Sequence, residues 1–191
     1  MGLGTRNGRL FWGAAVFTLT LDFFTKRLAE RMLTEHVPVS VLGEVVRFTL
    51  AYNPGAAFSM SLGSYSRYIF GAFACIALFV LWRLYRDTRP GDLMLPLGLG
   101  LAWGGAAGNL LDRFLSPRGV VDFIDVGTAT WRFWTFNVAD SGVTVGAIIL
   151  AWYLSRDDLG QRGQREGAAA EPAREGTAET TSTGGAAAGG A

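Results

Sequence analysis

Four stretches of this chain, residues 10–24, 68–85, 93–111 and 138–154, are apolar almost without interruption. Crossing a hydrocarbon core takes about 20 mostly apolar residues in a helix, and no other single-segment structure satisfies its own backbone there. The runs therefore constrain the chain to a helical, polytopic membrane protein with four spans. The first run is short enough to compare with a secretory signal, whose apolar region covers about 7 to 15 residues. No small-x-small cleavage site follows it, however, and the chain continues LDFFTKRLAER. It reads as a retained helix whose Lys26 and Arg27 snorkel to the membrane interface.

Composition agrees: 50% of the 191 residues are hydrophobic and 13% aromatic, more than an ordinary soluble domain carries. Residues 161–191 stand apart, having no aromatic and no aliphatic side chain larger than Ala. Such a segment cannot bury enough surface to offset its ordering entropy, and it reads as a disordered tail. A formal net charge of +1 gives no sign of a nucleic-acid partner. Charge also leaves orientation open. Arg6, Arg9, Arg83, Arg86, Arg89 and Arg156 fall on one side of a four-span arrangement, but Lys26, Arg27, Arg31, Arg47, Arg67, Arg113, Arg118 and Arg132 fall on the other.

The single cysteine, Cys75, lies inside the second run, so there is no disulfide framework and no CxxC metal pair. His36 is also alone, which removes HExxH zinc chemistry, and no GxSxG elbow supplies a serine for a triad. A Ser-Lys dyad would have to use Lys26. That lysine follows Asp22 at the favourable acid-first i,i+4 spacing, which points to a self-neutralising ion pair at a membrane edge.

Between the spans, residues 36–60 contain β-branched runs broken by Gly43 and closed by Asn-Pro-Gly, and residues 120–137 read as two short strands around Gly127. Together they predict a small sheet whose Trp and Phe side chains suit the headgroup layer. In the third span Gly100, Gly104 and Gly108 form a small-xxx-small stripe for close helix packing. Asn109 follows, with Arg113 four residues on. A polar group at membrane depth needs a partner, which gives Asn109 a role; for Asp112 no spacing links it to these residues, and an acid at a helix end meeting water accounts for it equally well.

Asn137 and Asp140 share one face of the first turn of span four. An asparagine N-cap followed by an acid at the positive end of the helix dipole accounts for both as capping residues. Asp122 is harder to dismiss. It lies within the apolar strand GVVDFIDV, on the face it shares with Val120 and Ile124, whereas Asp125 falls on the other face and is expected to be solvated. Two carboxylates directed into one membrane-edge pocket suggest acid-base activation of water, with a proton shared between them. Two other classes stay open on these residues alone: a proton-coupled carrier using Asp22, Asp112 and Asp140, and an assembly subunit whose glycine stripe only packs helices.

The blocks DFFTK at 22–26, NPGAAFS at 53–59, GGAAGNLLDR at 104–113, VVDF at 120–123 and FNVADS at 136–141 resemble, in order and spacing, the motif series of the bacterial lipoprotein signal peptidases, signal peptidase II. The likeness runs from about residue 10 to 155. It implies an α-helical polytopic membrane protein with four transmembrane helices and a small extracytoplasmic β-sheet. It also implies cytoplasmic termini and a peptidase domain at 10–155 with extracytoplasmic loops at 30–66 and 114–136; with residues 1–9 as the N-terminus, the stretch 156–191 outside the likeness is then a cytoplasmic tail, disordered by its composition. By position Asp122 and Asp140 correspond to the catalytic aspartates. Asn109, Arg113 and Asn137 correspond to polar residues around them, Asn53 to a substrate-binding loop, and Asp22 with Lys26 to the first block, kept here as a structural ion pair. Gly142 departs from the family, where a residue with a side chain is usual, and is expected to loosen the first turn of span four.

The implied reaction removes the signal peptide from a diacylglyceryl-modified prolipoprotein by cleavage before the lipidated cysteine. One aspartate activates water and the other protonates the departing amine. No metal or organic cofactor is required. The expected surroundings are the bacterial cytoplasmic (inner) membrane and its lipids, with a monomeric enzyme and an active site near the outer leaflet surface.

Overall fold

The computed structural model describes residues 5–55 and 65–170, with side chains described through Arg156. Residues 56–59 of the NPGAAFS block lie outside the described residues.

Helix α1 (Arg6–Met32) begins where the Thr5 hydroxyl accepts a hydrogen bond from the Gly8 amide at 3.1 Å, a side-chain N-cap. Helices α2 (Ser66–Arg86), α3 (Met94–Leu115) and α4 (Val138–Ala170) follow the remaining apolar runs. α3 is the centre of the bundle because its glycines bring two neighbours to backbone distance. A Cβ placed on Gly100 or Gly104 would run into the carbonyl oxygens of Phe11 and Ala15 in α1, and one on Gly105 into the Ala139 carbonyl of α4. The small-residue stripe is thus a packing device on two faces.

α2 also lies along α3. It turns Tyr68, Phe73, Ile76 and Phe79 outward, each more than half exposed, as are Val16, Phe17 and Phe24 of α1 and Ile148 of α4. An apolar exterior of this extent is stable only against lipid or a partner. Among the described residues α2, α3 and Val138–Arg156 of α4 are long and apolar enough to cross a membrane. α1 falls short of that measure, and its length contains Arg9, Asp22, Lys26 and Arg27.

At one end of the bundle Phe11 stacks on Tyr85 with ring centroids 4.1 Å apart, and the Asn7 amide donates to the Arg89 carbonyl at 2.8 Å. At the other end strands β1 (Val39–Leu42), β2 (Val46–Asn53) and β3 (Val120–Val126) form an antiparallel sheet in the order β1-β2-β3. The β1–β2 turn places Gly43 at φ 55°, the left-handed region that Gly enters without strain. Register sets Ala51 opposite Asp122 and Asn53 opposite Val120, so Asn53 ends its strand beside the acid of the next.

The second strand expected after Gly127 does not form. Residues beyond β3 make only the isolated bridges Gly127↔Arg132 and Ile124↔Phe136. Thr128 instead closes a local turn by exchanging hydrogen bonds with Trp131, its hydroxyl accepting from the Trp131 amide at 3.1 Å.

The first compact unit ends at Ser155. Disorder was expected from 156 onward, yet the helix continues to Ala170, where Arg, Gln, Glu and Ala are good helix formers. Residues 171–191 lie outside the described residues.

Candidate active site

Asp122 is carried by β3 and Asp140 by the first turn of α4, and both line one cavity of about 870 Å³ with Asn53, Phe133, Trp134 and Thr144. Two amides connect them. The Asn137 side-chain nitrogen donates to Asp122 Oδ1 at 2.7 Å and lies 3.1 Å from the Asn109 oxygen; the Asn109 nitrogen donates to Asp140 Oδ1 at 2.7 Å. Asn53 supplies a further side-chain hydrogen bond to Asp122. Its own oxygen accepts from the Gly55 amide at 3.0 Å, a turn that presents its nitrogen to the acid.

Asp140 is also a helix cap. Its second oxygen accepts from the Asn137 amide at 3.2 Å while the Asn137 side chain accepts from the Asp140 amide at 2.9 Å, a reciprocal capping box. The capping account and the pocket account are therefore both true of this residue: the cap fixes the carboxylate in the cavity wall.

Asp122 is 5% exposed, and burial first, then the nearby Asp140 charge, pushes its carboxyl up to about 7. Among the described residues no lysine or arginine forms an ion pair with Asp122 or Asp140. Arg113 donates to the Asn109 carbonyl at 2.7 Å and its guanidinium lies within electrostatic reach of both acids. No group of three or more His, Cys, Asp or Glu among the described residues has metal-binding geometry.

Below this pair lies a second cluster. Lys26 does not snorkel; it is 0% exposed, with its ammonium 2.7 Å from Asp22, 2.9 Å from Asp112 and 3.0 Å from the Asn109 oxygen. Three acceptors match its three donors, which makes burial of the charge tolerable. Asp22 also accepts from the Ala139 amide at 2.8 Å, an otherwise unpaired donor in the first turn of α4. Asp112, which needed no partner by the solvent account, binds Lys26, Arg27 at 3.3 Å and the Val121 amide at 3.2 Å. The signal for it was in the sequence: Asp112 is the next four-residue step of the stripe 100–104–108, so it faces α1 as the glycines do.

Asp125 is likewise buried and paired rather than solvated. It is 6% exposed, binding Arg132 at 2.6 Å and Thr49 at 3.1 Å, because the loop after β3 folds Arg132 back onto the strand. Gly142 does not loosen α4; a Cβ there would lie 2.6 Å from the Thr18 methyl of α1, so the missing side chain admits a close contact. The structure thus brings Asp122, Asp140, Asn53, Asn109, Arg113 and Asn137 into one region, with Asp22 and Lys26 directly beneath. The aromatic wall of the cavity, Phe133, Trp134 and Phe136, went unassigned because only the fold brings that loop beside the acids.

Residues 14–156 match the family described as signal peptidase (SPase) II. The lipoprotein signal peptidase of Mycolicibacterium smegmatis is 41% identical over 177 residues, covering 87% of this chain and 71% of that protein. That of Coxiella burnetii is 42% identical over 144 residues, covering 73% and 86%, and that of Pseudomonas aeruginosa 39% over 157 residues, covering 79% and 91%. A bacterial membrane enzyme solved in meso at 2.3 Å resolution superposes with a TM-score of 0.68 at 30% identity, over 76% of this chain and 87% of that one.

Proposed function

The chain belongs to the signal peptidase II family, and from that membership we propose that Asp122 and Asp140 carry its activity, the removal of signal peptides from prolipoproteins. The observation that supports the assignment is their placement: two carboxylates in the wall of one cavity, held by neutral amides, with no bonded cation among the described residues.

Asp140 accepts hydrogen bonds on both oxygens and acts as the base. Asp122, which holds its proton up to about pH 7, acts as the acid. Asp140 takes a proton from water as its oxygen bonds to the carbonyl carbon before the lipidated cysteine. The tetrahedral intermediate then collapses: the C–N bond breaks and Asp122 gives its proton to the departing cysteine amine. A proton passing from Asp140 back to Asp122 restores the resting pair. Asn53, in the cavity wall, and Arg113, within electrostatic reach of both acids, bind substrate and support the two acids, and Asn109 and Asn137 hold them in place. Lys26, paired with Asp22 on its own helix, holds α1 against α3 through Asp112.

The arrangement in the bilayer follows from the same reading. α1 crosses along with the three more apolar helices, since its polar residues Asp22 and Lys26 are buried against α3 and need no contact with lipid. The N-terminus, the α2–α3 turn and the tail are cytoplasmic, and the sheet and acids lie at the outer leaflet of the inner membrane. Reporter fusions at Arg89 and Gly119 should therefore read opposite sides. The working unit is a monomer acting on a diacylglyceryl-modified precursor. The carrier alternative is not supported: Asp22 and Asp112 are committed to Lys26, and the relatives are peptidases.

The test is mass analysis of products from purified protein and a synthetic precursor, with and without the diacylglyceryl group. A single cut before the lipidated cysteine is the expected result. A cut elsewhere, or equal cleavage of the unlipidated peptide, contradicts the substrate assignment.

A further inference from the structure

We propose that Lys26 is a positioning residue for the reaction, fixing through Asn109 which of the two acids is presented as the base. This inference rests on the dyad reading above and assigns Lys26 more than an ion-pair role.

Hydrogen-bond direction fixes the orientation of the Asn109 amide. An ammonium has donors only, so the group facing Lys26 across 3.0 Å must be the Asn109 oxygen. With the oxygen committed, the Asn109 nitrogen points the other way, at Asp140 Oδ1, 2.7 Å off. The remaining Asp140 oxygen faces the Asn137 amide at 3.2 Å. Among the described residues both hydrogen bonds to the Asp140 carboxylate thus come from N–H donors, which favour its charged form. The same Asn109 oxygen lies 3.1 Å from the Asn137 nitrogen, which donates onward to Asp122, so one amide orientation sets the hydrogen bonds at both acids.

Lys26 itself cannot turn away. It is 0% exposed and clamped by Asp22 from its own helix and Asp112 from α3. The other charges facing this region are Arg27 from α1, 3.3 Å from Asp112, Arg113 from α3 and Asp122 from β3; α4 contributes Asp140 itself. Without the ammonium the Asn109 oxygen keeps only one of its two donors, the Asn137 nitrogen at 3.1 Å, and a half-turn of the amide offers that oxygen to a protonated Asp140. The pair then rests with its proton on the wrong member for attack.

The test is the pH profile of kcat/KM on a lipidated precursor for two variants: Lys26→Met, and the neutral set Asp22→Asn, Lys26→Met, Asp112→Asn, which removes the ammonium without stranding buried acids. Both should bind precursor with KM near that of the parent. kcat should fall about 10- to 100-fold, and the acidic limb of the profile should move to higher pH by about one unit. If Lys26→Met does not fold, the neutral set supplies the same readout.

A second measurement separates this role from scaffolding. In an Asn109→Ala background, adding the neutral set should cost no further kcat, since its effect passes through that amide. An unshifted acidic limb, or a full additional loss of kcat without Asn109, overturns the proposal. Failure here is distinct from failure of the dyad: if Asp122→Asn and Asp140→Asn are inactive while the neutral set keeps the parent profile, only the role of Lys26 is lost.

Discussion

Two acid clusters lie one side-chain amide apart and are built on opposite rules. In the lower one Asp22 and Asp112 are matched by Lys26, with Arg27 on the outer side, and every ammonium donor has an acceptor. In the upper one Asp122 and Asp140 share neutral amides and face a cavity. Matched charge fixes geometry and leaves nothing to react; unmatched charge in a concave site leaves a proton free to move. The single amide of Asn109 joins the two, accepting from the first and donating to the second.

The two clusters differ most at Lys26. Removing one partner of a buried ion pair leaves the other charge uncompensated, which costs about 3–5 kcal/mol. Lys26→Met should therefore lower the thermal midpoint in detergent far more than Asp122→Asn does. Equal midpoints for the two variants would erase the distinction between the clusters.

Asp125 sharpens it with a smaller effect. It shares β3 with Asp122 but has Arg132 and Thr49 as partners. Asp125→Asn should cost about 1–3 kcal/mol of stability by weakening a charged, part-buried contact, while the folded fraction cleaves precursor at the parent rate. Lost turnover in fully folded protein would move Asp125 into the upper cluster.

A pH signature belongs to the unmatched pair alone. Burial raises the Asp122 carboxyl from the 3.8 of a free side chain to about 7, so the native state binds a proton that the unfolded chain releases. The stability linked to that proton is full below pH 3.8 and is lost as pH rises through about 7. Asp122→Asn is exempt. Its thermal midpoint relative to the parent should rise with pH from about pH 4 to about 7 and level off above that. A constant difference across that range contradicts a raised Asp122.

Much of this organisation was written locally in the chain. The apolar runs located the four helices, the four-residue glycine repeat located the close contacts of α3, and an acid inside VVDFIDV marked Asp122 because nothing apolar should carry it. Asn137 and Asp140 were legible as a spacing of three. What stayed hidden depends on partners distant in sequence. Lys26 looked like a snorkelling residue because its Asp112 partner is 86 positions away, a separation no helical period conveys. Asp125 looked solvated because alternation marks one face of a strand, and in β3 both faces are covered. The loop after Gly127 had strand-forming residues, but Thr128 and Arg132 gave its backbone local partners instead.

The central claim is that Asp122 and Asp140 act as one acid-base unit, and the initial rate of cleavage of a lipidated precursor by purified Asp122→Asn, Asp140→Asn and the double variant tests it most directly. Each single change should lower the rate by about 100- to 10,000-fold with the protein folded, and the double variant should be scarcely slower than either. Turnover by either single variant within about a few-fold of the parent would contradict the account, leaving Asp140 as a helix cap and Asp122 as a buried strand residue.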